Sequence, residues 1–237
     1  MKLGFLALFF SILGGCSMMQ KDKDLAQLHL RVGTSQLQSG LYPQALSSLL
    51  QAEKLDPKNP AIQNNLGLAY FVRDRLDLAE KHIRRSLDLD PLYSDARNNL
   101  ARVLIETGNY PGALDELKKV LNDLTYSAPA KPLFNSGLAH FFMKQYSPAE
   151  DYFRKSLRLE KDNCLAQSFL GRTFFETKNW LRAAENLDRA VGLCQKDQFD
   201  EPQYFSGLAY FELGQIEKAE ARWDELIKIY PNGRYRD

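Results

Sequence analysis

The hydrophobic pattern changes character near residue 25. Before that point Lys2 is followed by an apolar run, Leu3 to Leu13, broken only by Gly4 and Ser11. Such a run rises about 16 Å as a helix, too short for the roughly 30 Å hydrocarbon core, and has the length of a signal-peptide h-region. Beyond residue 25, short apolar motifs return with a fixed period. Leu-Asp-Pro stands at Leu55–Pro57 and again at Leu89–Pro91, 34 residues on. Asn-Asn-Leu stands at Asn64–Leu66 and Asn98–Leu100, with the same spacing. Gly-Leu-Ala-Tyr-Phe or a close variant occupies Gly67–Phe71, Gly137–Phe141 and Gly207–Phe211.

This is the pattern of the tetratricopeptide (TPR) repeat: small residues at positions 8, 20 and 27, a bulky residue near 11 and proline at 32. About six units fit, starting near Ala26, Pro60, Ser94, Ala130, Cys164 and Asp200. Each is a pair of helices, A and B. Small side chains at 8 and 20 let A and B approach closely, and the terminal proline stops B. One unit cannot bury its apolar face alone, so neighbours stack. The expected fold is all-α, a right-handed TPR superhelix over residues 25–237. The period lengthens to 36 between Ala113 and Ala149 and between Ala183 and Ala219. The first slip falls in Leu124–Pro132, which predicts a kink in the superhelix or a joint between the third and fourth units.

The leader ends Leu13-Gly14-Gly15-Cys16, which resembles a lipobox. It predicts a signal peptide over residues 1–15 and a lipidated Cys16 at the mature N-terminus. Several acyl chains hold a protein durably on a bilayer. Ser17 follows the cysteine, and by resemblance to Gram-negative lipoproteins a residue other than Asp there directs the chain to the outer membrane. Residues 16–24 read as the anchor and a flexible tether reaching at most about 25–30 Å.

Charge and chemistry narrow the function. Lys+Arg is 31 and Asp+Glu is 30, a formal net charge of +1 that gives no pull toward nucleic acid. Removing the leader takes away only Lys2 and brings the charge to zero. His29, His82 and His140 fall in three different units, and no phosphate-binding, nucleophile-elbow or zinc motif is present. No enzyme activity, metal or cofactor is expected. Cys164 opens helix A of the fifth unit and Cys194 ends its helix B, so the two lie side by side in an antiparallel hairpin. In an exported protein that predicts a disulfide, the alternative being two unpaired core residues.

The working surface is expected on the concave face, where helix A presents positions 2, 5, 9, 12 and 13. These carry Leu30 and Leu37, Leu68, Phe71 and Val72, Phe134, Leu138, Phe141 and Phe142, Phe175, and Tyr204, Leu208 and Phe211. About half are expected to be exposed and the rest to form core between units. Such a stripe suits an amphipathic helix or apolar peptide. Asn65, Asn99 and Asn135 share position 6, where amides could ladder along a peptide backbone. Lys131, Arg102 and Arg172 do not form the basic set of a chaperone-type carboxylate clamp.

The lipobox, six units without another domain, the midpoint Asp123–Pro129 with Asn135–Leu138 and Ala149–Leu159, and the ending Leu226–Pro231 together resemble the type IV pilus biogenesis lipoproteins of the PilF/PilW/Tgl family. Ser127 departs from the proline often found there. The resemblance implies a pilotin on the inner leaflet of the outer membrane. Such a protein binds secretin subunits and promotes their localisation and ring assembly. Two alternatives are a TPR lipoprotein of the outer-membrane protein assembly machinery and an adaptor for a periplasmic protease or cell-wall enzyme.

Overall fold

The structure is a computed structural model that describes the backbone of residues 4–195 and 199–235, with side chains from Gln20 onward in those ranges. Among these residues the ordered chain is twelve α-helices with no strand. They are α1 (Gly4–Gln38), α2 (Tyr42–Leu55), α3 (Pro60–Phe71), α4 (Leu76–Leu89), α5 (Ser94–Glu106), α6 (Tyr110–Leu121), α7 (Ala130–Phe142), α8 (Tyr146–Leu159), α9 (Cys164–Glu176), α10 (Trp180–Cys194), α11 (Glu201–Glu212) and α12 (Ile216–Ile229). Odd-numbered helices are A and even-numbered ones B. The helices α3, α5, α7 and α9 begin at the unit starts read from the sequence, and α11 begins one residue later.

Local chemistry sets these boundaries. The Asn59 side chain accepts from the amides of Ala61 and Ile62, and Pro60 occupies the first helical position, where a missing N–H costs nothing. Asn109, Asn163 and Asn179 cap α6, α9 and α10 in the same way. The A-to-B turn places one residue with positive φ at position 15 of every unit: Gly40, Asp74, Gly108, Lys144, Lys178 and Gly214. Three units use glycine there, and the others hold a side chain in a region that costs an L-residue about 1–2 kcal/mol.

The glycine at position 8 is required by the close approach of A and B. A Cβ on Gly67 would sit 2.3 Å from Ile83 Cγ1. One on Gly137 would sit 2.5 Å from Phe153 Cε1. Position 27 adds a polar tie: Ser86 Oγ donates to the Pro60 carbonyl at 2.7 Å and Ser156 Oγ to the Ala130 carbonyl at 3.0 Å. Each hydroxyl is thereby satisfied in a dry place and locks the end of B to the start of its own A.

The chain divides into two compact units, one ending at Gly108 and the other beginning at Asn109. The division falls in the turn between α5 and α6, not in the 124–132 segment where the longer period pointed. The eight residues 122–129 that join α6 to α7 are held by a local turn, with Asp123 Oδ1 accepting from the amide and hydroxyl of Thr125. The core of the first unit gathers Leu30, Leu49, Ile62 and Leu66. That of the second gathers Phe141, Phe153, Leu170, Phe174 and Leu187. A smaller cluster joins Ala190 to Cys164 and Cys194, with Leu193 and Phe199 against it.

The tether expectation is corrected. The helix α1 runs without a break from Gly4 to Gln38 and includes Ser17–Asp24. No proline interrupts that stretch, and Gln20 Nε2 donates to Asp24 Oδ1 at 2.9 Å one turn on. The side chain of Cys16 lies outside the described residues. No described helix is long and apolar enough to cross a membrane.

Candidate functional site

The A helices carry the stripe read from the sequence, and the structure sorts its members. Leu30 and Phe141 are each 7% exposed and belong to the two cores, so neither offers a contact to a partner. Both face helices that pack beside their own, and burial there outweighs any role in a groove. Phe142 and Phe211 are exposed, at 44% and 51%. Leu37, Leu68, Phe71, Phe134, Leu138 and Phe175 are half-buried, as are Asn65 and Asn99. Most of the stripe is thus one-sided: each side chain supports the core below and shows an edge above.

In the second unit this edge is aromatic. Phe141 meets Phe142, Tyr146 and Phe169 edge-on, and Phe142 stacks on Tyr110 at 5.8 Å. Phe175 contacts Trp180 and Phe205, and Tyr204 stacks on Tyr235 at 4.6 Å. These ring geometries are the offset and edge-to-face arrangements that the aromatic quadrupole prefers.

The asparagine ladder is corrected. Asn65 donates to the Ala61 carbonyl at 2.8 Å and accepts from the Thr34 hydroxyl at 3.4 Å. Asn99 donates to the side-chain oxygen of Asn64 at 2.9 Å. Asn135 is buried. Asn65 and Asn99 tie neighbouring A helices together, because a half-buried amide between helices must be satisfied there. The sequence reading weighed Arg102 and Arg172, both at position 9, only as members of a clamp and missed their place over aromatic rings. The Arg102 guanidinium lies 4.8 Å from the centre of the Phe71 ring. Burial pushes it below its ordinary pKa, against the pull of nearby Glu106. Arg172 lies 3.6 Å from the centre of the Phe205 ring and pairs with Glu201 and Glu176. The signal available was the recurrence of Arg-x-x-x-Glu at the same place in the third and fifth units.

Cys164 and Cys194 are joined by a disulfide, with Cα atoms 5.1 Å apart. Among the described residues no group of three or more His, Cys, Asp or Glu is placed to hold a metal ion. On the B side of the second unit, a cleft of about 620 Å³ includes Asp188 and Tyr210. Asp188 there accepts from Ser206, Tyr210 and Arg222 at 2.6, 2.7 and 2.9 Å. Its acceptors are used in holding α10, α11 and α12 together, so this is a structural node. Burial, then the hydrogen bond to Asp188, pushes the Tyr210 phenol up to about 12. The fold therefore favours the protonated phenol. Its contribution is complete below pH 10 and is lost as pH rises from 10 through about 12. Absorbance titration at alkaline pH should show a late-ionising component that shrinks by one tyrosine in Tyr210→Phe. An unchanged titration would show that the phenol is not held this way.

Comparison with known proteins gives the same repeat. Family profiles described as tetratricopeptide repeat match residues 30–94, 73–125, 130–163 and 206–233. The chain is a tetratricopeptide-repeat protein. Among relatives of this TPR chain is the "Type IV pilus assembly protein PilF" of Pseudomonas aeruginosa, to which it is homologous. They are 25% identical over 71% of this chain and 67% of PilF. Tetratricopeptide repeat protein 13 of Homo sapiens is 27% identical over 80% of this chain but only 22% of its own length. Two solved structures share the TPR fold nearly end to end. Pseudomonas aeruginosa PilF has a TM-score of 0.76 at 21% identity, covering 91% of this chain and 97% of that one. PilW, described as a widely conserved type IV pilus biogenesis factor, has a TM-score of 0.80 at 20% identity, covering 89% and 96%.

Proposed function

We propose that this protein is a lipid-anchored pilotin on the periplasmic face of the outer membrane. It binds secretin subunits of the type IV pilus and promotes their localisation and assembly into multimers. The homology to PilF over two thirds of both chains carries the reading. The lipobox-like Leu13–Cys16 supports the anchor, and the half-buried edge of Leu37, Leu68 and Phe71 supports a role in holding an apolar client segment. Acyl chains would fix the address while the A-helix face shields the client until it inserts. No step requires bond chemistry; the work is binding.

Replacing Leu37, Leu68 and Phe71 together by Asp should abolish secretin multimers while the lipoprotein still fractionates with the outer membrane. Immunoblots of multimers beside density-gradient fractions check this, with circular dichroism confirming the helices. Unchanged multimers would remove this face from the reading. Loss of the protein from the outer membrane in the Cys16→Ala variant is the matching test of the anchor.

A further inference from the structure

The cleft on the B side of the second unit has a wall of donors beside the Asp188 node. Arg154 on α8 and Arg182 and Arg189 on α10 line it together. Arg154 and Arg182 come to one ring, their guanidinium carbons 5.6 and 5.7 Å from the centre of buried Phe174. Arg182 and Arg189 stand seven residues apart on α10, so they share a helix face, about 10 Å apart along its axis. No other B helix carries arginine at both of these places in its unit, so the repeat itself does not call for the pair.

The acceptors of the cleft are mostly used and its donors are not. Asp188 takes Ser206, Tyr210 and Arg222. Asn186 accepts from Gln167 at 3.0 Å and donates to the Arg182 carbonyl at 2.8 Å. Among the described residues the guanidiniums of Arg182 and Arg189 have no hydrogen bond or ion pair. Arg154 commits only its Nε, to Glu150 at 2.9 Å. Glu185, the remaining carboxylate of the lining, is exposed and within ion-pair reach of neither arginine on its own helix. Unspent guanidinium forks are matched by carboxylates or phosphates, to which each gives two parallel N–H donors. The cleft's volume of about 620 Å³ is far more than one small anion fills. A flat plane of lipid headgroups meets ridges, whereas these donors line a hollow between helices. A chain bearing several carboxylates can enter it and reach both ends.

We propose that the B-side cleft of the second unit binds an acidic segment of a protein partner, whose Glu or Asp side chains take the forks of Arg182 and Arg189, with Arg154 adding a third donor group. The site uses other residues than the client face and stands whether or not that reading does. Charge gives it selectivity and speed of encounter, and the sparse apolar lining keeps it reversible.

The test uses the full chain in detergent and a fluorescent peptide of about twelve residues, in which Glu alternates with Gly and Ser. Anisotropy at about 50 mM salt reads the binding. Binding should fall about tenfold when the peptide's Glu are changed to Gln, and about tenfold with Arg182→Gln and Arg189→Gln together. Arg84→Gln with Arg85→Gln removes the same charge from exposed sites of the first unit and should change binding less than about twofold. Glu185→Gln should tighten binding about threefold, because it takes a like charge from the wall. A gain of binding has no explanation in misfolding, so this variant keeps the test sharp if the arginine pair is unstable. Equal binding of the Glu and Gln peptides, equal losses in the arginine pair and its control, or no gain with Glu185→Gln would overturn the inference. So would displacement of the peptide at equal concentration by inorganic phosphate or by glycerophosphoglycerol, a soluble lipid headgroup, which would mark a small-anion or membrane site.

Discussion

Phe153→Ala should lower the free energy of unfolding by about 3–5 kcal/mol, the range for truncating a large, wholly buried ring. Phe153 has no exposed surface and lies between Phe134 and Phe169, at 5.9 Å from each. Its edge also fills the space that the missing side chain of Gly137 leaves open. That geometry makes a sharper companion prediction. Gly137→Ala alone places its Cβ 2.5 Å from the ring and should cost about 1–3 kcal/mol through overpacking. In the Phe153→Ala background the same substitution meets a cavity and gains about 1 kcal/mol of helix propensity, so its sign should reverse. Denaturant titrations of the four proteins in this cycle decide the matter. Additive effects would show that α7 and α8 are not held apart by this contact.

Removing the disulfide is the second large effect. Cys164 and Cys194 are 30 residues apart in sequence, and both are nearly or fully buried. In the chain-entropy account, closing a loop of that length restrains the unfolded chain by about 3–4 kcal/mol. Cys164→Ala with Cys194→Ala should lose about that much. The loss should concentrate in the second unit, with amide exchange rising in α9 and α10 and unchanged in α1–α4. Dithiothreitol should destabilise the natural chain and leave the double variant unaffected. Equal stability of the two proteins under oxidising conditions would show that the bond contributes nothing to the fold.

The repeats were legible because their determinants are local. A glycine at position 8, a small residue at 20 and an asparagine or proline at the helix start each act within one hairpin, and Pro60, Ser94, Ala130 and Cys164 all open helices as read. Contacts between hairpins were harder. Asn65 and Asn99 look alike in sequence, yet one bonds its own helix and a threonine while the other reaches Asn64 on the preceding A helix. Leu30 and Phe141 carry the same pattern as exposed members of the stripe, and only the packing of adjacent A helices buries them. The two arginines at position 9 were visible as residues but not as an inequality. The carboxylate that Arg172 meets comes from Glu201 on the next A helix, and that is not a property of its own repeat alone.

The unbroken first helix bears on how force and orientation pass along the molecule. With the proposed anchor at Cys16, a coil between anchor and body would let the body tumble, so its azimuth would average out. A helical stem instead couples the roll of its root to the roll of the first hairpin, at about 100° per residue. Inserting or deleting a single residue within 17–24 would then swing the client face around the stem's axis while changing its height by only about 1.5 Å. Secretin assembly that tracks the angle of such insertions, not their length, would mark residues 17–24 as a rotational index.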